Sequence, residues 1–541
     1  IYIYVADVPG GTNPIEKQWE DPADLRATEK ETYRIDYEDK AGNSQRLVYA
    51  VADTRFYTQW NAGLNMLRTL FVCFCLAVGA LLFSKDANEL VITPIEKMIA
   101  KVNNIAKNPL TAASEEENHQ VAIELAKEEG PKRKKQAKHG PKKKKKEEKP
   151  FETAILEQTI IKIGGLLAVG FGEAGSEIIA NNMRSGGDID PMIAGKKMLG
   201  IFGFCDIRNF TDATEVLQEE VMIFVNEIAE TVHSIASHFS GSANKNIGDA
   251  FLLVWKFDRE DYGMNDDGSF ILHDTHAGAQ LTDMALISFV ITIGRINTAY
   301  KLQKYSKLPG LTQRLPNYSV KLGFGLHFGW AIEGAIGSEF KIDASYLSPN
   351  VNLASQLEGE TKYYGVLLLV SNSLYENLSG EAQKYLRAID RVSLKGSNKP
   401  VELYTIDMDI SNLDPESSTD YLRVKNLPRR EKKRIKVRAR IRRDNLKNAV
   451  RRNEFYVHTL METEIDIIKM RATISEQFTA KHQEAYENYV NGEWAAAKQL
   501  FEEALAIKQS SDGPTNAIMK FMHDYNYTSP LEWKGFRSNE Q

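Results

Sequence analysis

Hydrophobic residues are distributed unevenly along the chain, and the longest apolar stretch lies near its beginning. Between Leu64 and Phe83 the sequence is apolar except for Asn65, Arg68 and Thr69. Its stretch without a charged residue is slightly shorter than the roughly 20 residues that a membrane-spanning helix needs. Buried core helices usually interleave polar residues at the helical period, and this segment does not. The pattern therefore favours a transmembrane helix over a buried core helix.

Lysines follow this segment, at Lys85, Lys97 and Lys101. Positive charge concentrates on the cytoplasmic side of membrane helices, so the C-terminal bulk of the chain is expected in the cytoplasm. Residues 1–63 are then an extracytoplasmic, membrane-proximal segment, and residues 64–83 form a single span. The chain begins at Ile1 rather than Met, which indicates a fragment. We expect a membrane location, with the plasma or ciliary membrane as the compartment.

Residues 84–110 predict an amphipathic helix after the span. Pro94 is placed to open it, and Ile95, Met98 and Ile99 contribute to one apolar stripe. This segment resembles the first helix of a HAMP-type signalling module, and a plain juxtamembrane helix explains the pattern equally well. The sequence therefore predicts a HAMP-like helix with that alternative open.

Residues 111–150 are charged and of low complexity, with a lysine run from Gly130 to Pro150. Like charges repel, so we expect a disordered linker, and such a run can also bind anionic lipid. It lacks interleaved aromatic residues, so nucleic-acid binding is not expected. Residues 151–197 begin with apolar positions from Ile155 to Ile163 at coiled-coil spacing, which predicts a signalling or dimerisation helix. The same spacing fits a single helix packed on a core.

A short apolar strand then leads into the first candidate chemical group, Asp206, which stands in the sequence FCDIRNFT. A polar turn follows, and a helix is expected to begin near Thr211. The turn residues Asn209, Phe210 and Thr211 can offer backbone N–H groups to phosphate oxygens. The carboxylate beside them can hold Mg²⁺ against the same phosphates.

A second carboxylate follows about forty residues later, in NKNIGDAFLLVW. Gly248 precedes Asp249 at a predicted tight turn, and the apolar run after it predicts a buried strand. Carboxylates on adjacent strands can share two metal ions, Mg²⁺ or Mn²⁺. Such a pair supports in-line displacement at phosphorus, because one ion helps to ionise the attacking hydroxyl while the other neutralises the phosphates.

Both motifs, together with GFGLHFGWAIEGAIGSEF and SPNVNLASQLE after them, resemble the class III adenylyl and guanylyl cyclases in the same order. The resemblance covers residues 198–407 and is nearest to receptor-like, membrane-anchored protist cyclases. It implies a ferredoxin-like α+β catalytic domain, here preceded by a transmembrane helix and a signalling helix. It also implies two catalytic domains joined head to tail, as a homodimer or as a heterodimer with another cyclase chain.

The resemblance implies a role for each matching residue. Lys245 stands where adenylyl cyclases place the lysine that donates to adenine N1, whereas guanylyl cyclases have glutamate there. ATP is therefore the expected nucleotide, and cyclic AMP and pyrophosphate the products of this phosphorus–oxygen lyase reaction. A guanylyl cyclase is the third alternative. The implied site residues are Asp206 and Asp249 for metal, Lys245 with its partner Ser345 for the base, Asn352 for the ribose, and Lys395 for the terminal phosphates.

One position departs from the family. Gln356 stands where the family carries an arginine four residues after the asparagine. Glutamine brings no positive charge to the reacting phosphate, and loss of such a contact costs on the order of 3 kcal/mol, or about a hundredfold in rate. The second hypothesis is therefore a catalytically weakened scaffold or a heterodimer subunit whose partner supplies the arginine.

Residues outside these motifs give broader expectations. The segment from Phe257 to Ser319 predicts a long helix from about Thr275 to Tyr305, interpreted as a surface elaboration or a docking insert. His327 is expected to be a packed strand histidine rather than a metal ligand.

The C-terminal part divides into two. Residues 408–453 are a basic linker or helix that can meet a membrane surface, an acidic partner or calmodulin, or remain solvated. Residues 454–541 predict a helical region with one tetratricopeptide-like hairpin that turns at Gly492 and Glu493 and packs on the cyclase core or on a neighbour.

Composition changes this picture little. The chain has 541 residues, of which 43% are hydrophobic, and a formal net charge of −5. It can therefore bury at least one full-sized core. None of its cysteines, Cys73, Cys75 and Cys205, is placed to form a structural disulfide.

Overall fold

The computed structural model describes residues 2–6, 26–38, 45–107 and 194–538, with gaps at 266–269, 274, 339–340, 398 and 417–425, and a few isolated positions between 156 and 175. The chain divides into two compact units, Ile1–Ile99 and Ala100–Gln541, which are described separately. The predicted disordered linker lies outside the described residues, as does nearly all of the predicted dimerisation helix.

The first unit combines a small antiparallel sheet with a long helix. Its strands are β1 (Tyr2–Ala6), β2 (Lys30–Glu38) and β3 (Gln45–Asp53), in the order β1-β3-β2. The helix runs through α1 (Arg55–Ala87), a π-helical turn (Asn88–Ile92) and α2 (Thr93–Lys107). The apolar segment predicted at residues 64–83 is thus the middle of a longer helix.

Pro94 does not open a separate helix, contrary to the prediction. The backbone is already helical before it, and the π-helical turn ends two residues earlier, at Ile92. Proline has no N–H to donate and its ring crowds the preceding turn, so a wider turn lets the helix continue past it. The juxtamembrane helix is therefore continuous with the apolar helix.

Two described helices are long and apolar enough to cross a membrane by length and composition, Arg55–Ala100 and Thr275–Thr298. The most apolar window of the first has no buried residues, whereas 78% of the corresponding window in the second is buried. The second is therefore a core helix of its own unit. Membrane anchoring through the first stays a prediction.

The second unit is built on a mixed sheet of nine strands in the order β14-β12-β13-β11-β9-β4-β6-β5, with β10 paired to β9. The strands are β4 (Lys196–Ile207), β5 (Ser242–Ile247), β6 (Ala250–Lys256), β9 (Leu322–Ser338), β10 (Lys341–Leu347), β11 (Leu368–Ser371), β12 (Leu386–Ser393), β13 (Val401–Ile406) and β14 (Arg537–Ser538), beside a separate hairpin of β7 (Tyr262–Met264) and β8 (Phe270–Leu272). The helices are α3 (Phe210–Leu217), α4 (Val221–His238), α5 (Thr275–Thr298), α6 (Tyr300–Ser306), α7 (Pro309–Arg314), α8 (Pro349–Tyr364), α9 (Asn372–Tyr375), α10 (Gly380–Gln383), α11 (Arg429–Arg451), α12 (Leu460–Thr463), α13 (Ile465–Arg471), α14 (Glu476–Val490), α15 (Trp494–Lys508) and α16 (Gly513–Asp524).

The side chains of β4 point alternately to the two faces of the sheet and belong to two hydrophobic cores. Ile201 and Cys205 join the large core that includes α4 and α5, whereas Phe202 and Phe204 join a second core with Val351 of α8. Successive side chains of a strand point to opposite faces, so helices cover both faces of this sheet. Asp206 continues the row of Phe202 and Phe204 and therefore lies on the face that α8 covers.

The segment expected to be a surface elaboration is instead part of the core. Helix α5 is mostly buried, and it ends at Thr298 rather than continuing to Tyr305. The helix is interrupted at Ala299. There the Glu416 carboxylate accepts a hydrogen bond from the Tyr300 N–H at 3.1 Å, and the Glu416 N–H donates to the Thr298 carbonyl at 2.9 Å. A contact from a distant segment thus ends the helix, which local sequence did not reveal.

Helix α8 packs directly on the backbone of β9. A β-carbon at Gly325 would overlap the Ala354 carbonyl of α8, and one at Gly323 would overlap the Arg208 guanidinium and the Glu358 carboxylate. Larger residues would push α8 away from the sheet. The glycines of the GFGLHFG motif therefore set how closely α8 approaches β9.

The C-terminal region belongs to the same unit. Helix α11, the predicted basic helix, buries Val437 and Val450. Helices α14 and α15 form a hairpin around Gly492, which has a positive φ of 87°, and Tyr486 and Trp494 of this hairpin share a core with Ala388 of β12. The expected packing on the cyclase core is confirmed, while the tetratricopeptide likeness stays a prediction.

A buried ion cluster joins this region to the sheet. Arg387 of β12 donates to Asp407 at 2.6 Å and to Asp512, before α16, at 3.0 Å. Asp512 also accepts from Lys508 at 2.6 Å. Burial opposes its ionisation, but Arg387 and Lys508 hold the pKa of Asp512 below its usual range. Removing one partner of such a buried cluster leaves an uncompensated charge, so the cluster fixes α16 to the sheet.

A pH dependence of stability is expected from Asp283 of α5. Its carboxylate accepts hydrogen bonds from the Ser379 N–H at 3.0 Å and the Ser379 hydroxyl at 2.5 Å, and burial raises the pKa of Asp283 to about 6. Between the usual pKa of 3.8 and about 6 the folded state binds a proton that the unfolded chain has lost, so the free energy of unfolding falls as pH rises through this window.

We expect Asp283→Asn to remove this part of the pH dependence. Urea unfolding followed by tryptophan fluorescence at about pH 4.5 and pH 7 measures it. The exposed variant Asp444→Asn is the matched control and should keep the wild-type difference. An unchanged difference in Asp283→Asn would show that Asp283 is not the titrating group.

Candidate active site

Asp206 ends the row of β4 side chains beneath α8. It pairs with Ala250 of β6 on one side and with Gly323 of β9 on the other. The side chain is 19% exposed, and its Oδ1 atom is buried without a hydrogen-bond partner among the described residues. Buried carboxylate oxygens normally have a partner, so this atom is available to a ligand.

Asp249 lies beside it in the predicted tight turn. Gly248 and Asp249 form a two-residue connection between β5 and β6, and the positive φ of Gly248, 65°, suits such a hairpin turn. The Ile207 N–H donates to the Asp249 carbonyl at 3.3 Å and ties the turn to the end of β4. Burial and then the Asp249 charge raise the pKa of Asp206. The two predicted carboxylates are therefore neighbours.

These carboxylates fit divalent cations. Two close negative charges and an orphaned buried oxygen are arranged as a cation requires, and carboxylate oxygen is the ligand type that Mg²⁺ prefers. The described part of the chain holds no group of three or more His, Cys, Asp or Glu side chains placed around one ion. Mg²⁺ usually takes one or two carboxylates and completes its shell with water and substrate phosphates.

Four side chains that are not among the predicted site residues lie around Asp206. Arg208 forms an ion pair with Glu358 at 3.1 Å and a hydrogen bond with Thr361, and Lys362 Nζ lies 3.7 Å from Asp206 Oδ2. Arg208 is two residues from Asp206, just after the end of β4, and Glu358 and Lys362 are one helical turn apart. These spacings were visible in the sequence, but the register of α8 on β4 was not.

The turn after Asp206 has its predicted place. Asn209 has a left-handed φ of 56° and precedes α3, which begins at Phe210. Asn209 and Thr211 are exposed. Acidic residues of α3 are paired with Arg314, whose guanidinium lies 2.6 Å from Asp212 and 2.5 Å from Glu215. Phosphate binding by Asn209, Phe210 and Thr211 stays a prediction.

Lys245 contacts a carboxylate rather than the predicted serine. Its Nζ lies 3.6 Å from Asp343 Oδ2, and Lys341 lies 3.2 Å from the same carboxylate. The predicted partner Ser345 is two residues further along β10 and on the same face. The sequence pointed to Ser345 because counting back from Asn352 leads there, whereas the hairpin of β9 and β10 brings Asp343 next to Lys245.

The remaining predicted residues lie at the other end of α8. Asn352 is exposed in its first turn, and Gln356 one turn later donates from Nε2 to the Lys395 carbonyl at 2.8 Å. Ten residues separate Asn352 from Lys362, which corresponds to about 15 Å along an α-helix. One chain therefore does not bring Asn352 and Gln356 to Asp206 and Asp249.

His327 is a packed strand histidine, as predicted. Its Nδ1 lies 2.8 Å from the Ser371 hydroxyl and its Nε2 lies 3.2 Å from Asn350 Oδ1. Burial lowers the pKa of His327 to about 4, so the ring is neutral at physiological pH. Ser348 caps α8 by accepting from the Asn350 N–H at 3.1 Å. These contacts fix the first turn of α8, which carries Asn352.

Comparison with protein families gives two matches. The model of the adenylate and guanylate cyclase catalytic domain matches residues 196–408, compared with 198–407 expected from the motifs. The model of the all-helical domain of RasGEFs matches residues 54–184, a range whose described beginning is the long helix of the first unit.

Curated relatives match the same region. An adenylate cyclase of Anabaena cylindrica is 30% identical over 208 residues, which cover 38% of this chain and 36% of the relative. The terminal-differentiation-specific adenylate cyclase of Dictyostelium discoideum is 25% identical over 215 residues, covering 39% of this chain and 9% of the relative. The chain thus spans about a third or less of the length of these relatives.

Among solved structures, a bacterial light-regulated adenylyl cyclase is 21% identical, with a TM-score of 0.35, covering 48% of this chain and 66% of that one. The paired carboxylates Asp206 and Asp249 lie inside the region, residues 196–408, that matches the cyclase catalytic domain. Residues 196–408 therefore form a catalytic domain of the class III adenylate and guanylate cyclase family.

Proposed function

We propose that this chain is an adenylyl cyclase that converts ATP to 3′,5′-cyclic AMP and pyrophosphate. The observation that carries the proposal is the juxtaposition of Asp206 and Asp249 where β4 ends and β5 turns into β6, inside the region that matches the cyclase family. The adenylate cyclases among the relatives support ATP as the substrate.

Asp206 and Asp249 would hold two Mg²⁺ or Mn²⁺ ions. When bound, these ions would neutralise triphosphate charge and favour ionisation of the ribose 3′-hydroxyl. Gly248 and the hydrogen bond from Ile207 keep Asp249 beside Asp206, so the chain presents both carboxylates before a nucleotide arrives. This preorganisation supports catalysis by positioning and charge.

Lys245 and Asp343 would recognise the base. Adenine presents an acceptor at N1 and a donor at its 6-amino group, which match an ammonium and a carboxylate. Guanine presents an N–H at N1 and a carbonyl at position 6, which oppose both. The contact between Lys245 and Asp343 therefore supports adenine over guanine, with Ser345 on the same face as a further acceptor.

The active site would form between two chains. Asp206 and Lys362 belong to one half-site. Along α8, Asn352 lies about 15 Å and Gln356 about 9 Å from Lys362, and both would complete the half-site of a partner cyclase domain. Ile332, Ile336 and Leu347 are exposed around the β9–β10 hairpin, and exposed apolar patches often mark interfaces. These features support a homodimer or a heterodimer with another cyclase chain.

The enzyme would be located at a membrane. Helix α1 would span it once, with the cyclase unit in the cytoplasm, at the plasma or ciliary membrane. The basic helix α11 would then be available to a membrane surface, an acidic partner or calmodulin.

Retention of the full chain in the membrane fraction after alkaline washing tests the anchor.

We expect the purified full chain to form cyclic AMP from ATP with Mn²⁺ or Mg²⁺. Asp206→Asn should lower kcat about a hundredfold or more, because one of the two metal-binding carboxylates loses its charge. Asp212→Asn, which removes a nearby carboxylate paired with Arg314, is the control and should keep wild-type activity. Equal rates for wild type and Asp206→Asn would reject the assignment.

Gln356 supports a second candidate function, a weakened subunit that serves a heterodimer. Its side-chain amide is bound to the Lys395 carbonyl and brings no positive charge to the reacting phosphate. We expect Gln356→Arg to raise kcat on the order of a hundredfold with little change in KM, because the contact acts in the transition state.

Gln356→Leu is the control for that experiment, since it removes the hydrogen bond to Lys395 without adding charge. High activity of the unmodified chain, with no gain from arginine, would reject the weakened-subunit hypothesis. Low activity that arginine restores would instead favour it.

Nucleotide preference follows from Lys245. We expect Lys245→Glu to lower kcat/KM for ATP by at least about tenfold and to shift the ratio of kcat/KM values towards GTP, because a carboxylate meets the N1 acceptor of adenine. Lys341→Glu, which alters the other lysine beside Asp343, controls for charge. A wild-type preference for GTP would make the chain a guanylyl cyclase.

A further inference from the structure

Lys362 is a cation beside the paired carboxylates to which the proposed function gives no role. Its Nζ lies 3.7 Å from Asp206 Oδ2, and its side chain is 59% exposed. Arg208, another cation that acts on Asp206, is 16% exposed and is held by Glu358 and Thr361. Lys362 therefore has freedom to change partner, whereas Arg208 has a structural partner on α8.

The fold determines where this ammonium lies. Thr361 and Tyr364 on either side of Lys362 are buried, and the Tyr364 hydroxyl donates to Asp390 at 2.6 Å. Buried contacts thus hold the last turn of α8, whereas the Lys362 side chain is mostly exposed. An ion pair with a mostly exposed lysine contributes little to stability, so the contact with Asp206 is not what holds α8 in place.

The net charge expected at the site indicates that Lys362 can bind a phosphate. Two carboxylates and two divalent ions leave a bound triphosphate with excess negative charge, and an ammonium within reach is attracted to its oxygens. Gln356 supplies no charge to the site, and Lys395 belongs to the other end of α8 through its carbonyl contact with Gln356. Lys362 is a mostly exposed cation on the same chain as Asp206 and Asp249, and it lies beside Asp206.

We propose that Lys362 binds the terminal phosphates of the nucleotide, moving from Asp206 to a phosphate oxygen when the nucleotide arrives. This inference rests on the proposed function, because it takes the nucleotide to lie over Asp206 and Asp249. Lys362 would act on binding of the ground state, which separates its role from the transition-state role of the position that Gln356 occupies.

The test compares the affinity for nucleotide with the affinity for metal alone in the full chain. Isothermal titration calorimetry with 3′-deoxy-ATP and Mn²⁺ measures nucleotide binding without turnover, because this analogue lacks the attacking hydroxyl. Electron paramagnetic resonance measures Mn²⁺ binding without nucleotide. The variants are Lys362→Met and Lys362→Arg, with Lys384→Met as a control at a similarly exposed lysine.

Lys362→Met is expected to weaken binding of 3′-deoxy-ATP about tenfold, as loss of a charged phosphate contact does. It should bind Mn²⁺ alone at least as tightly as the wild type, because a positive charge beside Asp206 has been removed. Lys362→Arg should keep most of the nucleotide affinity, and Lys384→Met all of it.

Two outcomes would overturn the inference. Unchanged nucleotide affinity in Lys362→Met would show that the lysine does not contact phosphate. Equal weakening of nucleotide and Mn²⁺ binding would show that it only positions Asp206. A chain that forms no cyclic AMP but binds 3′-deoxy-ATP in a Lys362-dependent way would reject the proposed function and retain this inference.

Discussion

The close packing of α8 on the backbone of β9 sets the geometry on which the site depends. Gly323 and Gly325 leave no side chain between the helix and the strand, so α8 lies at a fixed height above Asp206. The N-terminal turn of α8 presents Asn352, and the C-terminal turn presents Lys362. In the proposed dimer, a single helix would therefore contribute to two separate half-sites.

Residues C-terminal to the family match also stabilise α8. Tyr364, at the end of α8, bonds Asp390 of β12 and accepts from Arg537 of β14 at 2.7 Å. Gly513 at the start of α16 lies so close to the Tyr364 carbonyl that a β-carbon there would overlap it. The C-terminal region is thus a structural part of the catalytic unit, because it fixes the end of α8 that carries Lys362.

Local patterns in the sequence were sufficient to find the carboxylates. An apolar strand ending in Asp206 and a Gly–Asp turn before a second strand are short-range signals, and the structure brings these two residues together. Gln356 was visible through the family resemblance, which implies an arginine four residues after Asn352. The carboxylates needed only a few neighbouring residues, whereas Gln356 also needed the family's motif.

Contacts between distant segments could not be predicted from such local patterns. Asp343 meets Lys245 only because the β9–β10 hairpin extends towards β5, and Lys362 meets Asp206 only through the register of α8 on β4. The sequence predicts a surface elaboration at helix α5, whereas the helix is mostly buried because other elements pack around it. The packing of strands and helices against one another, rather than local helix or strand propensity, determines these contacts and the burial of α5.

The two edges of the large sheet differ in a way that affects solubility. At one edge β14 pairs with β12 in parallel, so the last residues of the described chain occupy backbone groups that would otherwise be open. At the other edge the sheet ends at β5, a short strand that carries Lys245. Open edges invite pairing with other strands, and short length and charge discourage it. The sheet is therefore protected against edge-to-edge aggregation by a strand on one side and by a charged, short strand on the other.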